Sequence, residues 1–218
     1  MAQVDPELRE EIRKMVRDET AGRTARENPP AAPIGDPAPL GLAAFALTTF
    51  LLSLVNAGLL PSGGVQVVLP LALFYGGMGQ LLAGMWEFRN NNTFGATAFS
   101  SYGAFWLAFA ALETFYAGKI PASDLSLVVG WFLIAWGIFT AYMFFGSMRV
   151  TTAVMVVFLL LTLTFFLLGI GELAGSAGIS KVGGYVGILT AIAAWYTSAA
   201  GVVNSVSGRV VLPVGPRT

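Results

Sequence analysis

The chain has no cysteine and no histidine. Their absence removes disulfides, thiolate nucleophiles, imidazole metal ligands and imidazole proton shuttles. Ser-His-Asp and Cys-His hydrolase chemistry goes with them. No cluster of acids replaces the missing ligands, so neither a metal nor another cofactor is expected. Charge is scarce as well: 11% of the 218 residues are charged, against about 25% in soluble domains. Basic and acidic residues balance to a net charge of zero, which directs the chain to no charged partner, and none is expected among nucleic acids. Hydrophobic residues make up 56% of the chain. A soluble protein of this size could not cover so much apolar surface, so the expected class is an all-α integral membrane protein in contact with lipid.

Residues 5–27 mix acids and bases and lack the apolar core of a signal peptide. With no cysteine, and no glycine at position two, there is no lipidation signal. Leu8, Ile12, Met15 and Val16 fall on one face of a predicted amphipathic helix. That helix would lie against the cytoplasmic end of the protein or adhere weakly to the membrane surface. Pro29, Pro30, Pro33, Pro37 and Pro39 then stiffen a linker over 28–39. Residues 1–35 are read as this helix and linker, 36–207 as a transmembrane domain, and 208–218 as a cytoplasmic tail.

Six apolar segments follow the linker, near 39–60, 65–86, 97–117, 124–145, 150–172 and 182–205. Each has the roughly 20 residues needed to cross a core of about 30 Å. Short connections make neighbouring helices antiparallel. Orientation follows from the basic residues. Arg9, Arg13, Lys14, Arg17, Arg23, Arg26, Arg89, Arg149, Arg209 and Arg217 share one side, and only Lys119 and Lys181 lie on the other. Both termini are therefore predicted to be cytoplasmic.

The second and third segments carry most of the unusual chemistry. Glycine is plentiful, with 26 residues, well above the usual share of about 7%, and small residues let helices approach closely in lipid. Ala72, Gly76, Gln80 and Gly84 recur every fourth position and share a face. Gln80 is either an interhelical hydrogen-bonding residue or a substrate contact. Asp36 before Pro37 is a good helix start, because the carboxylate caps free N–H groups and proline fits the first helical position. The exposed amides near Ala38 and Leu40 could instead form a small vestibule for a carboxylate. Tyr102, Trp106, Phe109 and Glu113 share one face of the third segment. Such a stripe serves packing or lines a path. Glu113 and Glu172 either snorkel to the interface or mark a pathway.

The motifs DPAPLGL (36–42), FYGG with Gln80 and Glu87, NTFGATAFSSYGAFW (92–106), WG (136–137), FFG (144–146) and GRVVLPVG (208–215) occur in this order. Together the chain resembles the acetate uptake transporter family, also called the succinate–acetate permease family, over about residues 36–215. The resemblance implies a six-helix protomer assembled as a ring, commonly a homo-hexamer, with a separate path through each protomer. It implies acetate or another small carboxylate as the substrate, moved by channel-like passage or with protons. It also implies a narrow hydrophobic point made by Phe45, Tyr102 and Leu161. The vestibule and substrate-contact candidates are Asp36, Pro37, Ala38, Pro39, Leu40, Gly41, Leu42, Thr48, Gln80, Asn92 and Thr93. The chain departs from the family at Asp36, where the family has asparagine. Both cap helices well, but an added negative charge at an anion vestibule bears on substrate preference. No family role carries over to Glu113 or Glu172.

Acetate needs little recognition beyond hydroxyls and backbone amides. Thr48, Thr49 and Ser53 on the first segment, and Thr97, Ser100 and Ser101 on the third, can supply donors or simply bond the preceding turn. A neck of Phe45, Tyr102 and Leu161 would exclude hydrated ions by dewetting, with the Tyr102 hydroxyl as its polar handle. Alternative readings are a non-transporting membrane scaffold or sensor and, more weakly, a membrane enzyme, which the missing His and Cys argue against.

Overall fold

The structure is a computed structural model, and it describes residues 5–27 and 34–216. The chain divides into two compact units, Met1–Gly35 and Asp36–Thr218. In the first, α1 spans Pro6–Glu27. The Asp5 carboxylate accepts a hydrogen bond from the Glu7 N–H at 3.0 Å and Pro6 takes the first helical position, a start that proline's fixed φ favours. Leu8, Ile12, Met15 and Val16 are all exposed. Pro29, Pro30 and Pro33 of the linker lie outside the described residues.

The second unit is a bundle of helical rods. The first is α2, Ala38–Asn56. The second rod is α3 (Val65–Leu73) and α4 (Gln80–Arg89), joined by a π-helical turn over Phe74–Gly79. Pro70 inside α3 has no N–H to offer the preceding turn, which loosens the ladder just ahead of the π turn. The π turn adds a residue to the helical repeat. Gly77 is therefore buried alongside Ala72, Gly76, Gln80 and Gly84, and strict spacing by four does not anticipate it.

The third rod is α5, Thr93–Ala111, continued by a π turn over Leu112–Tyr116. It begins earlier than the apolar run because Asn92 caps it, accepting from the Gly95 N–H at 3.0 Å. The remaining rods are α6 (Ala122–Ser147), α7 (Thr152–Leu173) and α8 (Ala177–Ser207). Thr151 caps α7 and Ser176 caps α8. The Ser176 cap carries α8 five residues further toward its N-terminus than the apolar run reaches. Gly208, at φ +62°, ends α8 in the left-handed region that favours glycine.

Among the described residues, five rods are long and apolar enough to cross a membrane: α2, the Ser62–Arg89 rod, α6, α7 and α8. The α5 rod is not among them. It carries Thr97, Ser100, Ser101 and Tyr102 and buries Gly95, Ala98, Tyr102, Gly103 and Trp106 among its neighbours, so its sequence is tuned to the bundle interior.

Helix α2 packs on α8, α8 on α7, α7 on α6, and α4 on α5. Gly103 brings α5 against the backbone of the second rod: a Cβ there would meet the Leu81 nitrogen at 2.7 Å and the Gly77 oxygen at 2.8 Å. The core is strongly aromatic. Tyr102, Phe105, Trp106, Phe132, Trp136, Phe139, Phe158 and Phe165 pack in tilted, edge-to-face and stacked pairs. The outward faces are apolar as well, with Phe74, Leu82, Trp86, Trp131, Phe145 and Ile192 exposed. The tail over 208–216 folds back on the bundle. Asn204 clamps it by accepting from the Val211 and Leu212 N–H groups, and Tyr196 donates to the Pro213 carbonyl at 2.7 Å.

Candidate functional site

Two cavities lie in the interior of the bundle. The wide one, about 220 Å³, opens at the end where α2 finishes. Asn56 of α2, Val65 of α3, Glu113, Glu172 of α7 and Ser180 of α8 line its mouth, and Thr49, Phe105, Trp106 and Phe165 line its depth. The narrow one, about 20 Å³, lies toward the end where α2 starts. Leu42, Gln80, Ala98, Phe99, Tyr102, Val157 and Phe158 surround it. Such a void holds about one water, which needs roughly 10–15 Å³. Phe45 and Leu161 line both cavities, so these two side chains are the partition between them.

Tyr102 belongs to the same partition. Its ring centroid lies 6.0 Å from that of Phe45, and it lines the narrow void with Leu161. Phe45, Tyr102 and Leu161 come from α2, α5 and α7 and meet at one level. Their different depths from the helix starts are absorbed by the packing of the rods. The hydroxyl of Tyr102 is not free, however: it donates to Thr140 Oγ1 at 3.0 Å, and Thr140 donates in turn to the Trp136 carbonyl at 2.7 Å. All the groups that line the partition are thus apolar or already hydrogen-bonded.

The DPAPLGL segment is used mainly to start α2. Asp36 is exposed, and its carboxylate accepts from the Ala38 N–H at 3.0 Å. Pro37 is buried, Ala38 half-buried, and the Pro39 carbonyl accepts from Ser198 Oγ on α8 at 2.6 Å. Leu40 points outward, Gly41 packs on the Phe99 ring, and Leu42 reaches the narrow void. Thr48 lines neither cavity. It is fully buried, donates to the Ala44 carbonyl at 2.9 Å and packs beneath Gly76. Asn92 has both ends of its amide engaged, with Gly95 and with Glu87, while Thr93 is exposed.

Gln80 is placed differently. It is 1% exposed, lines the narrow void, and its side-chain oxygen has no partner. An unmade hydrogen bond on a buried amide costs on the order of 1–3 kcal/mol, so a polar occupant of the void would be stabilised there. The wide cavity offers two further groups of this kind. Trp106 Nε1 and Thr49 Oγ1 are buried without partners, and both residues line it. The indole N–H can only donate, and a lone buried donor suits an anion or another acceptor. Among the described residues, no lysine or arginine lines either cavity; the wide cavity carries Glu113 and Glu172, the narrow void no charge.

Helical spacing put Trp106 in an aromatic stripe and gave no sign that its N–H would be unpartnered. Thr140 had a legible signal, a hydroxyl in the middle of an apolar run, but its link to Tyr102 spans 38 positions.

Residues 21–216 match the GPR1/FUN34/yaaH family. The chain belongs to that family. Acetate permease A of Emericella nidulans is 45% identical over 199 residues, covering 84% of this chain and 67% of that protein. The succinate-acetate/proton symporter SatP of Escherichia coli is 40% identical over 182 residues, covering 84% and 96%. The solved structure of the bacterial acetate channel SatP superposes with a TM-score of 0.79 at 40% identity, covering 84% of this chain and all of that one. The family match includes the partition residues and both cavities.

Proposed function

We propose that this protein moves acetate and related short carboxylates across the cytoplasmic membrane, along a path inside each protomer. The observation that carries this reading is the pair of cavities that meet at Phe45 and Leu161, with unpartnered polar groups on both sides. The names of the relatives support the substrate class. In this reading the α5 rod is the sixth crossing, held in the membrane by burial among its neighbours. Both termini face the cytoplasm, as the distribution of basic residues predicts. The wide cavity is then an outer vestibule and the narrow void lies on the inner side. The exposed apolar faces of the rods contact lipid and neighbouring protomers in a hexameric ring.

Trp106 and Thr49 are the first donors a carboxylate meets in the outer vestibule. The partition of Phe45, Tyr102 and Leu161 is a dry neck that hydrated ions do not enter. Gln80 receives the substrate beyond it. The vestibule candidates from Asp36 to Leu42, with Asn92 and Thr93, shape the inner mouth through two helix starts rather than through free donors. A neck with no cation favours passage of the neutral acid over the anion, because an unpaired charge is costly away from water. Uptake of labelled acetate into liposomes holding the purified protein, corrected for empty liposomes, tests the reading. Flux above that background is expected, and none would leave the non-transporting scaffold.

A further inference from the structure

We propose that Glu113 and Glu172 select the charge of the substrate at the mouth of the wide cavity, admitting monocarboxylates and turning dicarboxylates away. The inference deepens the transport reading above and rests on it. Both residues line that mouth. Glu113 comes from the π turn that continues α5, and Glu172 from the last turn of α7. They are near enough for the two carboxylates to repel. Glu113 is exposed and Glu172 half-buried, so both stand at the entrance rather than among the packed side chains.

The basic residues at this end of the bundle are directed elsewhere. Lys119 holds its ammonium 5.1 Å from the centroid of the Tyr116 ring. Lys181 of α8 lies beside the turn that follows α2, where a Cβ added to Gly58 would sit 3.7 Å from its Nζ. Neither lysine lines the cavity. Asp124, in the first turn of α6 at the same end, adds a third negative charge.

Deeper in, the cavity offers donors for one carboxylate. Trp106 is 3% exposed and Thr49 6%, and the indole N–H and threonine hydroxyl are its buried polar atoms without partners. Trp106 precedes Glu113 by about two helical turns on the same rod, roughly 10 Å at ~1.5 Å per residue. Most of the remaining wall is apolar, with Phe105, Phe109, Phe132, Phe165 and Leu168. A carboxylate that takes the indole N–H leaves a second carboxylate of the same molecule against this wall. That group finds no cation, and the nearest charges toward the mouth are of its own sign, so its burial is costly. A monocarboxylate places only a methyl group or a short alkyl chain there. Repulsion at the mouth scales with the charge of the entering molecule. The factor that disfavours a dianion is therefore the square of the factor that disfavours a monoanion.

Succinate, succinamate and succinamide share a shape and carry two, one and no negative charges at about pH 7.5. The concentration of each that halves the initial uptake of tracer labelled acetate is measured on the intact oligomer in liposomes of neutral lipid. The competitor is present on both sides, and uptake by empty liposomes is subtracted. In the double variant Glu113→Gln, Glu172→Gln, that concentration is expected to fall about tenfold for succinate and about threefold for succinamate, and to stay unchanged for succinamide. A shift that does not rise with the charge of the competitor, equal for all three or absent in all, would overturn the proposal. If the double variant does not assemble, Glu172→Gln alone decides. A fall of about threefold for succinate with succinamide unmoved supports the proposal, and an unmoved succinate value overturns it. Unmodified protein that takes up acetate but is inhibited by succinate as readily as by succinamate overturns this proposal alone. No acetate uptake above that of empty liposomes overturns the transport reading beneath it.

Discussion

The two cavities differ in size by about tenfold, 220 Å³ against 20 Å³, and in the groups left unpartnered around them. The wide cavity has an indole N–H and a threonine hydroxyl; the narrow void has a glutamine amide oxygen. In the transport reading, donors meet the carboxylate where there is room for its water, and an acceptor meets the substrate where there is not. A carboxylate is best received by donors, and a protonated acid is best received by an acceptor. The difference teaches that, in the transport reading, the two sides of the partition suit two protonation states of one small molecule.

The largest expected effect comes from removing the partition. Phe45→Ala or Leu161→Ala would merge the cavities and raise the flux of a bulkier acid relative to acetate by roughly tenfold, about 1.4 kcal/mol of barrier. The flux ratio per folded oligomer measures it, and an unchanged ratio with less protein recovered would make these side chains packing alone. Next is the donor side. Trp106→Phe keeps the ring but removes the N–H, and the acetate concentration for half-maximal uptake should rise about fivefold, the worth of one net hydrogen bond of about 1 kcal/mol. The smallest effect is at Tyr102. With its hydroxyl given to Thr140, Tyr102→Phe should lower stability by about 1 kcal/mol and leave the acid-size ratio unchanged. A selective loss of acetate flux would instead make that hydroxyl a substrate contact.

The comparison also shows what a sequence can and cannot tell. Apolar runs located the rods to within a few residues, because hydropathy and helix length are local properties. Phe45, Tyr102 and Leu161 were reached through motif resemblance, since nothing in their own neighbourhoods says that three helices converge on them. The Tyr102 hydroxyl reads as a polar handle in the sequence, and only the position of α6 reveals Thr140 as its partner. Thr48 shows the same limit in reverse. It looks like a donor on the path, yet the π turn of the second rod sets Gly76 against it and leaves its hydroxyl to the Ala44 carbonyl. Glu87 is near the end of its helix, and nothing in its sequence neighbours marks it as buried. Its burial depends on α5 starting earlier than the apolar run and folding Asn92 and Gly95 over it. Absence of cysteine, by contrast, is fully legible and has practical value, because any introduced thiol is unique.

That uniqueness permits the most direct measurement of the central claim, that substrate passes between Phe45 and Leu161. Leu161→Cys places the chain's sole thiol at the partition, and a small methanethiosulfonate reagent is applied to the protein in liposomes. Stoichiometric labelling should abolish acetate counterflow, and saturating acetate should slow the labelling. Labelled protein that carries acetate as fast as unlabelled protein would contradict the account and place the path elsewhere in the bundle.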